Sequence, residues 1–183
     1  MGRDQGPEQS FEEIVAAHQE MVWRLARRLL AWPEDVDDVV QEVFLRVLRN
    51  LGQFRGESRV ESWLWRITVN TCRSWQRGRA VRLRLVHRAA EQGGFVGAAA
   101  AEVLLDREEA RRVREAVAAL PQKYREVVVL RYLEGLAVKE VAEVLGLTPT
   151  AVGVRLSRAR EKLRRKLGAL MEEPGCTVRK MTD

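Results

Sequence analysis

Two cysteines in 183 residues, Cys72 and Cys176, are too few and too far apart to imply a disulfide framework. The two histidines, His18 and His87, lie far from each other and from either thiol in sequence, so no zinc-ligand spacing is present. His18 falls on an apolar helical stripe and is expected in or beside the core. Cys72 reads as a small buried hydrophobe and Cys176 as a free thiol in the tail. Apolar runs are short, such as VVVL at 127–130, so no segment is expected to cross a bilayer. MGRDQGPEQS has no apolar stretch of the secretory kind, which makes the cytosol the expected compartment. Neither a Walker-type GxxxxGK run nor GxGxxG occurs, so a nucleotide cofactor is not indicated. Asp35, Asp37, Asp38 and Glu42 cluster in sequence, but Asp35 and Asp37 diverge on a helix and no histidine or basic partner accompanies them. We therefore expect no metal, no cofactor and no catalytic residue.

What is abundant is charge, at 32% of residues against 46% apolar, a balance that suits a helix-rich soluble domain. Residues 1–80 carry 12 basic and 12 acidic side chains and are neutral. Residues 121–183 carry 13 basic and 8 acidic, a net of +5. Between Gly153 and Gly168 stand seven basic residues (Arg155, Arg158, Arg160, Lys162, Arg164, Arg165 and Lys166) and one acid, Glu161. A solvated helix face usually mixes the two signs, whereas this cluster is the electrostatic footprint of a polyanion site.

Apolar spacing predicts helices almost throughout and no strand. Phe11, Ile14, Val15, His18, Val22, Leu25, Ala26 and Leu29 form one stripe. After a break at Ala31-Trp32-Pro33, a second helix carries Val36, Val39, Val40, Val43, Phe44, Val47 and Leu48. GQFRGES is a loop, and Glu57 or Ser58 is expected to begin a third helix. HRAAEQGGFVGAAAAEV, with its paired glycines and alanine run, reads as a linker. The expected organisation is all-α: a first helical domain over 10–80, a flexible linker over 81–105, a second helical domain over 106–171 and a tail over 172–183.

AVKEVAEVLGLTPTAVGVRLSRAREKLRRKL carries a helix-turn-helix signal. Ala142 is small where two helices cross, Gly146 permits the turn, and Thr148 can cap the second helix with Pro149 at its first position. Val152, Leu156, Ala159, Leu163, Leu167 and Leu170 form its buried stripe. Thr150, Ala151, Gly153, Val154, Ser157, Arg158 and Glu161 face outward, where early residues of a docked helix meet base edges. In DVDDVVQEVFLRVLRNLGQFRG, Asp38, Gln41, Glu42 and Arg46 fall on or near the outer side of the second helix. That acidic-polar face suits a basic partner.

The ordered blocks DDVVQEVFLRVLRNLGQFRG, SWLWRITVNTCRSWQR, LPQKYREVVVLRYLEGLAVKEVAEVLG and TAVGVRLSRAREKLRRKL together resemble the sigma-70 family of bacterial transcription initiation factors, in particular its small extracytoplasmic-function (ECF) group. The resemblance covers roughly 11–79 and 106–170, and the short linker leaves no room for the central domain of larger members. It implies a dissociable subunit that docks on the β′ clamp helices of core RNA polymerase through Asp38, Gln41 and Glu42. It also implies a contact with the β flap. The second domain is expected to bind the promoter −35 element through Thr150, Gly153, Val154, Arg155, Ser157, Arg158 and Arg160. The −10 element is expected to be opened and held by Phe54, Arg55, Trp65, Arg66, Asn70, Arg73 and Arg77, with Arg59 adding a phosphate contact. An anti-sigma factor, often membrane-linked, is a further expected partner. The linker is expected to allow a spread form on polymerase and a compact inhibited form.

Departures from the family pattern are Val60, where an aromatic is common, and Gly153 and Val154, where basic and polar residues are common. Aromatics are only 6% of the chain, yet Trp63 and Trp65 stand two apart and so point to opposite sides of one helix. Trp63 continues through Ile67 and Asn70, and Trp65 through Val69 and Cys72. Trp63 is expected in the core and Trp65 toward DNA, where base stacking is worth roughly 1–3 kcal/mol per base. Phe54 and Trp75 are open to either role. Two other readings remain at this point: a free-standing helix-turn-helix repressor with a palindromic operator, and a DNA-processing enzyme that uses the carboxylates.

Overall fold

The computed structural model describes residues 10–30, 32–54, 56, 58–89 and 106–171, and every regular element among them is helical. Helix α1 spans Phe11–Leu29, α2 Val36–Asn50 and α3 Val60–Ala89. In the second half α4 spans Asp106–Ala118, α5 Gln122–Val128, α6 Val138–Leu145 and α7 Pro149–Met171. Of the expected linker, residues 90–105 lie outside the described residues, as do the 172–183 tail with Cys176, and Arg55. Helix α3 continues to Ala89, past the point where the linker was expected to begin.

Local chemistry sets the boundaries. Ser10 opens α1 with a capping box: its Oγ accepts from the Glu13 N–H at 3.2 Å, and the Glu13 carboxylate accepts from the Ser10 N–H at 2.9 Å. Ile14, Val22, Leu25, Ala26 and Leu29 of α1 are buried against Val36, Val39, Val43 and Val47 of α2 and Leu64, Val69 and Cys72 of α3. The residues expected inward on α2 are buried (Val39, Val43, Val47) or half-buried (Val40, Phe44), and Leu48, also carried by this helix, is half exposed (52%) and points away from the core. Thr68 and Thr71 are buried in α3 because each hydroxyl donates to the carbonyl four residues back, at Leu64 and Ile67.

In the second half, α5 passes directly into a π-helical turn over Val129–Leu133. The Glu134 N–H donates to the Val129 carbonyl at 3.0 Å and the Leu136 N–H to the Leu130 carbonyl at 3.0 Å. Gly135 takes a φ of 76° at the exit. Gly146, at φ 66°, closes α6, and the Leu147 N–H returns to the Ala142 carbonyl at 2.8 Å. Thr148 then caps α7 by accepting from the Ala151 N–H at 3.2 Å. This is the helix-turn-helix read from the sequence, with Val152, Leu156 and Ala159 inward.

The two halves pack on each other. Helix α3 lies against α6, and α1 against α5 and the π turn. The buried apolar residues of both halves join in one cluster.

Candidate nucleic-acid and partner interfaces

Three surfaces emerge from this packing. On α7, Thr150, Gly153, Val154, Ser157 and Arg158 are exposed away from the buried stripe, Arg160 is exposed on its flank, and Arg155 is half-buried at its other edge. A groove of about 410 Å³ runs along the start of this helix, floored by Tyr124 and Lys123 of α5 and edged by Thr150, Arg155 and Arg158. A hydrogen bond from Arg158 holds the Tyr124 hydroxyl below the usual phenol range. All seven residues expected on the −35 surface therefore share one end of one helix. Helix α7 continues past them with Glu161 paired to Arg165, and with Arg164 and Lys166 exposed.

A second surface runs along α3. Arg59, just ahead of its first turn, and Trp63, Arg66, Asn70, Arg73 and Arg77 recur at steps of four and three and so line one face. Arg59, Arg66, Asn70 and Arg77 are exposed. Phe54 enters this face from the loop before α3 and stacks on Trp63, with ring centroids 4.9 Å apart and planes tilted by 32°.

The two tryptophans do not divide as expected. Both are half-buried against the core. Trp63 shares its face with Arg66 and Asn70 and with the Phe54 ring, whereas Trp65 is in register with buried Val69 and Cys72. The Trp65 indole N–H is enclosed, with no hydrogen-bond partner among the described residues. The aromatic pair on the polar face is thus Phe54–Trp63, and Trp65 packs inward. The register was legible: Trp65 lies seven residues before Cys72, itself expected to be buried. Trp75 is also half-buried against the core.

The third surface is the outer face of α2. Asp38 and Gln41 are exposed, and Glu42 is half-buried and paired with Arg46 at 2.7 Å. Leu45 (40% exposed) and Leu48 (52%) extend the same stripe. Sequence reasoning missed these two, because an outward leucine among inward valines looks like more core. Asp37 is set apart, since its carboxylate accepts from the Trp23 indole N–H at 3.0 Å. Asp35 is held with Glu34 by Arg79, whose guanidinium also lies 4.5 Å over the Trp32 ring. Of the four carboxylates, Asp35 and Asp37 are thus engaged by Arg79 and Trp23, while Asp38 and Glu42 share the outer face of α2.

Comparison with known proteins matches these surfaces to two family regions. Residues 14–82 match Sigma-70 region 2, and residues 110–163 match Sigma-70 region 4. Over 175 residues the chain is 33% identical to the ECF RNA polymerase sigma-E factor of Haemophilus influenzae, covering 91% of this chain and 92% of that one. The chain belongs to the sigma-70 family, in its ECF group.

Among solved structures, CnrH in complex with the cytosolic domain of CnrY is similar at 32% identity and a TM-score of 0.63, covering 90% of this chain and 91% of that one. The sigma factor RpoE of Bartonella quintana, in complex with the anti-sigma factor NepR, matches at 21% identity with a TM-score of 0.69. It covers 86% of this chain and 96% of that one, and at this identity the likeness speaks to fold. As an ECF sigma factor, the chain places α1–α3 in region 2 and α4–α7 in region 4. Both the α3 and the α7 surfaces fall within the matched residues. The α2 stripe of Asp38, Gln41, Glu42, Leu45 and Leu48 also falls within region 2.

Proposed function

We propose that this ECF sigma factor docks on core RNA polymerase through the α2 stripe and reads promoter DNA with the other two surfaces. Gln41 supplies an amide and Asp38 and Glu42 supply negative charge for a basic helical partner, the β′ clamp helices that the family resemblance implies. Leu45 and Leu48 supply the apolar part of the contact. The first turns of α7 enter the major groove at the −35 element, where Arg155 and Arg158 reach guanine edges or phosphates. Gly153 and Val154 have no donor side chain, so base reading there falls to the arginines, Ser157 and Thr150. The α3 face holds the opened −10 strand: Arg59, Arg66, Arg73 and Arg77 on phosphates, Asn70 on a base edge, and Trp63 with Phe54 as the stacking platform. The protein has no chemistry of its own; it contributes position and specificity, in the cytoplasm. A further partner is an anti-sigma factor, the kind of protein with which the similarly folded sigma factor RpoE of Bartonella quintana is seen in complex.

The observation that carries this reading is the separation of roles by surface. The exposed stripe on α2 combines acid, amide and leucine, while the basic faces lie on α3 and α7. A free-standing repressor has no use for the α2 stripe, and with the family established that alternative is set aside. The test is co-elution with bacterial core RNA polymerase on gel filtration. The intact chain is expected to co-elute and Gln41→Ala/Glu42→Lys to elute alone with an unchanged circular dichroism spectrum. Failure of the intact chain, under conditions where another sigma factor binds, would overturn the proposal.

A further inference from the structure

The groove at the start of α7 has a second wall, and no role has yet been given to it. Lys123 and Tyr124 of α5 line it together with Thr148, Thr150, Arg155 and Arg158, and no carboxylate is among its lining residues. Tyr124 is only 7% exposed, and two cations stand against its ring. The Lys123 Nζ lies 5.1 Å from the ring centroid and the Lys162 Nζ 5.9 Å. On α7, Arg155 comes three residues before Arg158 and Lys162 four after it, so the three basic residues share one side of the helix. None of these four cations is ion-paired with a carboxylate among the described residues, and Glu161, next to Lys162 in sequence, is taken by Arg165. Four like charges around one groove repel each other, and a carboxylate placed among them would cancel one. An aromatic face holds cations without cancelling them. The first turn of α7, with its positive dipole end, opens on the same groove.

We propose that α5 completes the −35 reader with a phosphate seat: Lys123 and Lys162 each meet a backbone phosphate of the duplex, and Tyr124 is the positioning residue that holds them there. The proposal rests on the reading of the α7 face as the −35 surface. A helix docked in the major groove by its first turns has the bordering strand alongside it, and phosphate contacts fix the register in which base edges are met. That register matters in this chain because Gly153 and Val154 offer no donor side chain. Base reading rests on Thr150, Arg155, Ser157 and Arg158, whose reach depends on how the helix is seated. Two lysines that merely lay on a ring would stabilise region 4 slightly and take no part in binding.

The test uses the holoenzyme formed with bacterial core RNA polymerase, on the −35 duplex that the wild-type holoenzyme selects from a randomised pool. Withdrawing one lysine from a phosphate of B-DNA lowers the slope of log affinity against log salt by about 0.9. Lys123→Gln is expected to lose this amount with its selected sequence unchanged. Arg114→Gln, an equal loss of charge at an exposed position of α4, is expected to lose much less. Tyr124→Leu removes no charge, yet it is expected to weaken duplex binding about threefold and to lower the slope, because the lysines lose the face that gathers them. Lys162→Gln, at an exposed position, is expected to match Lys123→Gln and serves if Tyr124→Leu is poorly folded. A slope for Lys123→Gln equal to that of the wild type or of Arg114→Gln would overturn the seat. Wild-type affinity and slope in a folded Tyr124→Leu would overturn the positioning role, whatever its melting temperature. A wild-type holoenzyme that selects no −35 sequence would remove the −35 reading itself, and the seat with it.

Discussion

Cys72 shows how a residue far from any chemistry reports the closed packing. Its thiol is enclosed among α1, α2 and α3, and burial first, then the nearby Glu126 charge, push its pKa from 9 to about 12. A pKa raised on folding means that the protonated thiol contributes its stability fully below the unfolded value and loses it as pH climbs toward the folded one. Stability is therefore expected to decline between about pH 9 and 12, by about 1.4 kcal/mol per pH unit at most. Denaturant melts of Cys72→Ala are expected to lack this alkaline decline, and a decline of equal slope in the variant would refute the assignment. The tryptophan pair gives a second residue-scale prediction. Trp65→Ala is expected to cost about 3 kcal/mol of stability through the cavity left beside Val69 and Cys72. Trp63→Ala is expected to cost less stability but to weaken single-strand binding on polymerase by about 1–3 kcal/mol. Paired thermal melts and strand titrations of the two variants check this, and the opposite pattern would return Trp65 to the DNA face.

At the scale of elements, the helix-turn-helix was legible almost to the residue, because its signals are local and chemical. Thr148 is a cap, Pro149 a first helical position, and Gly146 a left-handed turn. Nothing lies within 4 Å of a Cβ added at Gly146, so Gly146→Ala tests backbone strain alone. It is expected to cost about 1–2 kcal/mol, the penalty for an L side chain in that region, and to lower the melting temperature. Duplex binding should fall further than the melt implies if the angle between α6 and α7 shifts. Other features left no local mark. The π turn after α5 exists because the Glu134 and Leu136 amides find carbonyls five and six residues back, which no periodicity in VVVLRYL announces. The exposure of Leu48 left no mark because an outward leucine and a core leucine are the same residue, and only the packing of α2 tells them apart. The contacts between domains join residues 53 to 110 positions apart, so they were beyond any reading of spacing.

For the whole molecule the consequence is an order of events. The α2 stripe is exposed while Arg73 is engaged by Glu126, so on the proposed roles polymerase binds first and the promoter strand only after the domains part. This makes the worth of each arginine depend on the state in which it is measured. Arg66 is exposed whether or not the domains are closed, and Arg73 is free for phosphate only when they are open. Removing one arginine from a single-strand phosphate lowers the slope of log affinity against log salt by about 0.7. For the free chain, Arg66→Ala is expected to reduce that slope by this amount. Arg73→Gln, whose amide can still donate to Glu126, should leave it nearly unchanged, since the charge it removes was already occupied by Glu126. On the polymerase-bound protein, held open on the promoter, the two substitutions should cost the same slope. Salt titrations of a labelled −10 strand against the four samples decide the matter: equal slopes for both variants in the free chain would mean that Arg73 meets DNA without any opening step, and the order of events would fall.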